Sequence, residues 1–267
     1  MGTSNFTGNS VTETEVLVPS DNGGFVISSK YHAGGAIHNN GNLTFEGDAT
    51  FAGNEVVTSG LHGLYHLGKG GAIANTRDGL ITFKAKLTMT NHNSEGFFAG
   101  VGGAIYNSGE IMIVGKSLFT ENRSADGGVF YVEKTGKVTL AGFAKFTDNA
   151  CRERSGGAIY NLGAFKLLGG SLFEDNLAES SGDGGDGGAI YNGAGGVLTF
   201  SGGDATFDYN RASSGGAIFN QAGAAIYFPE GGELVFIDNG ASTCPDIYYG
   251  KSKMLHGGSS LKPSCDP

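Results

Sequence analysis

The stretch Gly156-Gly157-Ala158-Ile159-Tyr160-Asn161, followed by Phe173-Glu174-Asp175-Asn176, decides the fold, because the chain repeats it. Gly-Gly-Ala-Ile or a close variant begins at Gly34, Gly70, Gly102, Gly127, Gly156, Gly187 and Gly215. Phe-x-x-Asn follows 17 to 21 residues later, starting at Phe51, Phe119, Phe146, Phe173, Phe207 and Phe236; Met89 and His92 fill its ends in the second copy. Successive copies start 25 to 36 residues apart. A period near 30 residues marks stacked supersecondary units rather than one globular core.

Within a unit the apolar residues alternate at period two, which is a strand signature. In the third copy Ile105 and Asn107 face one way, with Ala104 and Tyr106 opposed. Ile111 and Ile113 then oppose Met112 and Val114, and Ser117 faces with Phe119. Aligning the units gives four rows that are apolar throughout. They are Ile37/Ile73/Ile105/Phe130/Ile159/Ile190/Ile218, Leu43/Ile81/Ile111/Val138/Phe165/Leu198/Ile226, Phe45/Phe83/Ile113/Leu140/Leu167/Phe200/Phe228 and Phe51/Met89/Phe119/Phe146/Phe173/Phe207/Phe236. One such turn cannot bury its inner face alone; stacked turns bury a continuous interior. The sequence therefore predicts an all-β, right-handed parallel β-helix of about seven three-stranded turns over 34–239. Residues 1–33 read as a partial turn plus an irregular segment, and 240–267 as a tail or cap. Phe6-Thr-Gly-Asn9 reads as the last third of an earlier turn, as expected for a piece of a longer protein.

The Gly-Gly pair supplies a corner able to take positive φ and close backbone approach. Asn39, Asn75, Asn107, Asn161, Asn192 and Asn220 form an amide ladder, which Val132 interrupts. The Asn of Phe-x-x-Asn reads as a corner residue, tolerant of the left-handed region and bonded to its own backbone.

Gly at 49 of 267 residues reflects corners, and 39% hydrophobic content suffices for a long, narrow core. A net charge of −9, with Lys and Arg scattered along the chain, argues against a nucleic-acid surface. No apolar run is long enough for a transmembrane helix, and the N-terminus shows no secretory signal. Cys244 and Cys265 suit a disulfide in an oxidising compartment, with two free thiols as the alternative; Cys151 has no evident partner. Asn5, Asn42 and Asn122 head N-glycosylation triplets.

The pairing of Gly156-Gly-Ala-Ile-Tyr-Asn161 with Phe173-Glu-Asp-Asn176, repeated over about 34–239, resembles the repeat of the polymorphic outer membrane proteins of chlamydiae. The resemblance implies a β-helical passenger displayed on a cell surface or secreted, acting in adhesion, with a glycan or a host or neighbour-cell surface protein as partner. Similar repeats occur in large predicted secreted proteins of algae and other microbes. The chain departs from the family in lacking a C-terminal series of alternating barrel strands.

A different class remains open: a lyase, hydrolase or epimerase acting on polysaccharide from a pectate-lyase-like β-helix. Such chemistry needs paired carboxylates, or an acid with Lys, Arg or His, on one exposed face. The outward first-strand row is His38, Ala74, Tyr106, Tyr131, Tyr160, Tyr191 and Phe219, and it holds no acid. The outward second-strand row is Thr44, Thr82, Met112, Thr139, Lys166, Thr199 and Tyr227, also without one. Its threonines raise an ice-binding array, but Met112, Lys166 and Tyr227 interrupt it. Corner acids Glu121, Asp148, Glu174, Asp175 and Asp208 read as solvated charges that discourage aggregation. The aromatic residues Tyr106, Tyr131, Tyr160, Tyr191 and Phe219 are the candidate ligand platform, with a self-stacked structural ladder as the alternative. His62-Gly-Leu-Tyr-His66 has metal-ligand spacing only on a helix, and it sits in a loop. Gly182-Asp-Gly-Gly-Asp-Gly-Gly188 resembles calcium-binding turns but lacks their nine-residue frame. No catalytic residue, metal ligand set or cofactor is assigned.

Overall fold

The computed structural model describes residues 2–14, 17–19, 25–27, 33–59, 68–96, 100–179, 185–228, 232–249 and 253–256. They form a parallel β-solenoid. Its four long sheets each contain eight strands, and every sheet runs through successive repeats. The winding at the centre shows the pattern: Ile159–Asn161, Ala164–Leu167, Ser171–Glu174 and Leu177–Ala178. Each strand pairs in parallel with its equivalents on either side.

The register matches the aligned rows residue for residue. Ile159 lies against Phe130 and Ile190, Phe165 against Val138 and Leu198, Leu167 against Leu140 and Phe200, and Phe173 against Phe146 and Phe207. These side chains make one core. The phenylalanines stack along the axis, with centroids 4.7 Å apart for Phe119–Phe146, 4.5 Å for Phe146–Phe173 and 4.8 Å for Phe173–Phe207. That spacing is the strand repeat itself, so ring stacking and backbone pairing share one period.

The structure departs from the expected three strands per winding: each winding contributes to four long sheets, and two windings add a short strand, Gly68–Lys69 and Gly100–Val101. The strand of the fourth sheet follows Phe-x-x-Asn and is only two residues long at Arg123–Ser124, Ala150–Cys151 and Leu177–Ala178. Two residues cannot display an alternating pattern. Ala104 also lies in the main core rather than outward with Tyr106, because the Gly-Gly corner turns the chain just before it. At that corner the first glycine takes positive φ, +73° at Gly156, and a Cβ on Gly157 would overlap the Gly188 carbonyl oxygen of the next winding.

Strands extend to both sides of 34–239. Ser4–Thr7 pairs with Ala49–Ala52, placing Phe6 on Phe51 at 4.7 Å. Residues 240–256, set apart in the sequence as a tail or cap, hold Gly240–Thr243, Ile247–Tyr249 and Lys253–His256, all paired with the preceding winding. Cys244 is disulfide-bonded, and Cys265 lies outside the described residues. Cys151 is a buried free thiol.

The amide ladder along the first strands is present, with Asn39–Asn75–Asn107 and Asn161–Asn192–Asn220 joined at 2.7–2.9 Å on either side of Val132. A second ladder replaces the corner role expected for the other asparagines. Asn122, Asn149, Asn176, Asn210 and Asn239 are linked amide to amide at 2.9–3.0 Å. The left-handed residue is the one before each Asn: Glu121, Asp148, Asp175, Tyr209 and Asp238. Asn122 is thereby buried and committed, whereas Asn5 and Asn42 are exposed.

His92 occupies this second ladder and is its weak rung. Nδ1 accepts from the Asn54 amide, while buried Nε2 has no partner. Burial lowers its pKa from 6.5 to about 4. The unfolded chain binds a proton near pH 6.5 that the folded chain refuses until about pH 4, so stability falls as pH drops through that window. His92→Asn should restore the ladder and remove this dependence. Denaturant midpoints should show the advantage of the variant growing by about 2 kcal/mol between pH 6.5 and 5. A constant difference across that range would contradict the assignment.

Candidate functional site

The outward row of the first-strand sheet is a continuous aromatic stack. Ring centroids are 6.0 Å apart for Tyr106–Tyr131, 5.0 Å for Tyr131–Tyr160, 4.6 Å for Tyr160–Tyr191 and 5.3 Å for Tyr191–Phe219, and Tyr248 extends the row. In-register pairing places each ring over the next. Exposure is uneven. Tyr106 and Tyr191 are buried, whereas Tyr131, Tyr160, Phe219 and Tyr248 keep partial access.

Tyr106 is closed in by its neighbours. Lys69 Nζ stands 4.4 Å above its ring, Val101 packs beside it, and its hydroxyl donates to Glu133 Oε1 at 3.1 Å. Burial raises the pKa of Tyr106, Tyr131, Tyr160 and Tyr191. Nearby carboxylates add to it: Glu133 at Tyr106 and Tyr131, Asp126 at Tyr131, Tyr160 and Tyr191, and Asp186 at Tyr191. All four phenols therefore remain protonated hydrogen-bond donors at neutral pH.

Glu133 follows the first strand of its winding, whereas Asp126 and Asp186 come from a column that no motif marks, the residue just before each Gly-Gly. Val101 bridges to Asp126, Ser155 to Asp186, and Asp186 to Ser214. Writing that position out (Ala33, Lys69, Val101, Asp126, Ser155, Asp186, Ser214) would have revealed it. Asp126 is only 3% exposed. Oδ1 accepts from the Ser155 amide at 3.3 Å, and Oδ2 faces Arg154 Nη1 at 3.4 Å. Burial outweighs Arg154 and raises its pKa to about 6. With both oxygens engaged, Asp126 ties the 152–155 corner to the aromatic row. Asp186 and Ser214 are half-buried at the border of the row, and their side chains are hydrogen-bonded to each other.

The corner acids stand elsewhere, along the edge between the third and fourth strands. Burial, then Asp175 and Glu121, raise the Asp148 pKa, and Lys145 pairs with Glu174 at 2.8 Å. No group of three potential metal ligands occurs among the described residues. The segment His62 to His66 and residues 182–184 of the Gly182–Gly188 loop lie outside them. Among the described residues there is no helix long and apolar enough to cross a membrane.

A parallel β-solenoid with an outward aromatic row is thus defined, and its repeat is one already known. The Chlamydia polymorphic membrane protein (Chlamydia_PMP) repeat matches residues 170–193 and 204–221. These segments contain Phe173–Asn176, Gly187–Asn192, Phe207–Asn210 and Gly215–Asn220, both halves of the paired motif twice over. Comparison with curated proteins and with solved structures gave no match.

Proposed function

We propose that the chain is a non-enzymatic binding module, displayed at a cell surface or secreted, which engages a glycan or a partner protein through its aromatic row. The observation that carries this is the stack that is half-open at Tyr131 and Tyr160 and continues through Tyr191 and Phe219, whose windings carry Asp186 and Ser214 at the border of the row. Stacked phenol rings offer a rigid amphipathic floor on which the apolar face of a sugar ring or an interface side chain can lie. An extracellular setting is supported by the disulfide at Cys244 and by the membrane-protein repeat match. Tyr131→Ser combined with Tyr160→Ser should abolish the binding of the parent chain to neutral glycans on an array or to its cell-surface partner. An unchanged far-ultraviolet spectrum and denaturant midpoint would show that the scaffold survives. Retained binding by the double variant removes the platform from the account.

A second reading, a polysaccharide-acting enzyme, draws on the Asp126–Arg154 pair beside the rings and the raised pKa of that acid. The engagement of both carboxylate oxygens favours the binding module. Release of new reducing or unsaturated ends from an acidic polysaccharide would reverse that preference.

A further inference from the structure

On another side of the solenoid, the fourth-strand sheet carries a groove of about 480 Å³, lined by Arg152, Leu177, Ala178, Glu179, Arg211 and Ser213 with Ala212. Its volume falls in the range of small-molecule sites. Arg152 and Arg211 lie 59 residues apart in the chain, but the windings bring them to opposite corners of one patch. Leu177 pairs with Arg211, and the Glu179 amide donates to the Cys151 carbonyl, so the Leu177–Glu179 rung runs between the arginines. Two rung spacings separate the outer windings, roughly 10 Å, about the width of one sugar ring with its substituents.

Among the described residues the two guanidinium groups have no hydrogen-bond or ion-pair partner, unlike Arg154, which faces Asp126. Arginine presents a planar fork that matches a carboxylate bidentately. Between the forks, Leu177, Ala178 and Ala212 supply a small apolar floor, while Glu179 and Ser213 can accept from and donate to hydroxyl groups. A second, smaller groove of about 210 Å³ begins on the other side of Arg152, at Ser124 and Ala125. Ser94, whose buried hydroxyl has no partner, also lines it. A chain longer than one residue could continue there.

We propose that this groove binds a sugar residue bearing a carboxylate, with Arg152 and Arg211 at its two ends, one holding the acid and the other donating to ring or hydroxyl oxygens, and Glu179 and Ser213 holding hydroxyl groups. A uronic acid and a terminal nonulosonic acid share that chemistry. The site is independent of the tyrosine row.

Titration calorimetry of the whole chain against a glucuronate oligosaccharide, sialyllactose, neutral lactose and a poly-glutamate peptide tests it. At least one carboxylated sugar should bind, and the one that does identifies the source. Lactose and the peptide should bind at least tenfold more weakly. Arg152→Gln and Arg211→Gln should each weaken the carboxylated sugar at least tenfold. Lys84→Gln, an equal charge change just past the second strand Leu80–Phe83, should leave it within twofold. Absence of binding by both acidic sugars, equal binding of lactose or poly-glutamate, or equal loss in Lys84→Gln would each overturn the assignment.

Discussion

Phe173→Ala should cost roughly 3–5 kcal/mol of unfolding free energy, the range for emptying a fully buried aromatic site. Phe173 is 0% exposed and lies between Phe146 and Phe207, with interplanar angles of 1° and 3°. Removing it opens a gap in a row whose spacing is fixed by backbone pairing, so neighbouring rings cannot slide together to fill it. The stacking terms on both faces are lost as well. Its neighbour Leu172, on the outward side of the same strand and half-exposed, provides the contrast. Leu172→Ala should stay within about 1 kcal/mol of the parent. Because each winding touches only its neighbours, the damage should be local. Amide exchange should accelerate first in the windings of Phe146, Phe173 and Phe207, with the winding of Phe51 protected longest. A Phe173→Ala midpoint equal to that of the parent would show that the row does not support the fold.

The four inward rows were legible because the constraint on them is unforgiving. A single polar residue in any row would sit in the core of a narrow solenoid, so every winding repeats the same answer and alignment exposes it. The aromatic row was legible for the related reason that in-register pairing turns a sequence column into a stack. What stayed hidden lay where repeats differ in length or where the same residue type serves two uses. The two-residue fourth strands carry no period, and their sheet emerges only when neighbouring windings are laid together. The asparagine of Phe-x-x-Asn has the composition of a turn residue, yet Asp148 and Asp175 take the left-handed position and leave Asn149 and Asn176 to point inward. Asp126 stands in a column that also contains Ala33, Lys69 and Val101, so its chemistry follows from its neighbours Ser155 and Arg154 rather than from a motif. Likewise Arg123, Arg152, Arg154 and Arg211, scattered in the sequence, fall on or beside the fourth strands.

The ladder containing Asn176 is the other place where one substitution should have a large effect. Its Oδ1 accepts from both the backbone amide and the side-chain amide of Asn149, at 3.2 and 3.0 Å. Its Nδ2 donates to the Phe146 carbonyl at 3.1 Å and to Asn210 Oδ1 at 2.9 Å. All four hydrogen-bonding positions of the amide are thus used. Asn176→Leu keeps the volume but orphans two buried donors on Asn149, each worth about 1–3 kcal/mol, and strips a partner from Phe146 and Asn210. A loss of roughly 3–6 kcal/mol is expected, read from denaturant midpoints. The first-strand ladder tolerates Val132 because Asn107 Nδ2 has other acceptors there, the carbonyls of Gly109 and Lys137. Asn149 would retain only the Phe119 carbonyl. Asn176→Asp separates hydrogen bonding from packing, since it preserves shape and the acceptor but removes both donors. Burial disfavours the carboxylate, so its folded pKa lies above the unfolded value, and the variant should recover stability as pH falls and the acid gains a proton to donate. If Asn176→Leu stays within 1 kcal/mol of the parent, or Asn176→Asp shows no such recovery, the buried amides are passengers in the fold rather than the tie between its windings.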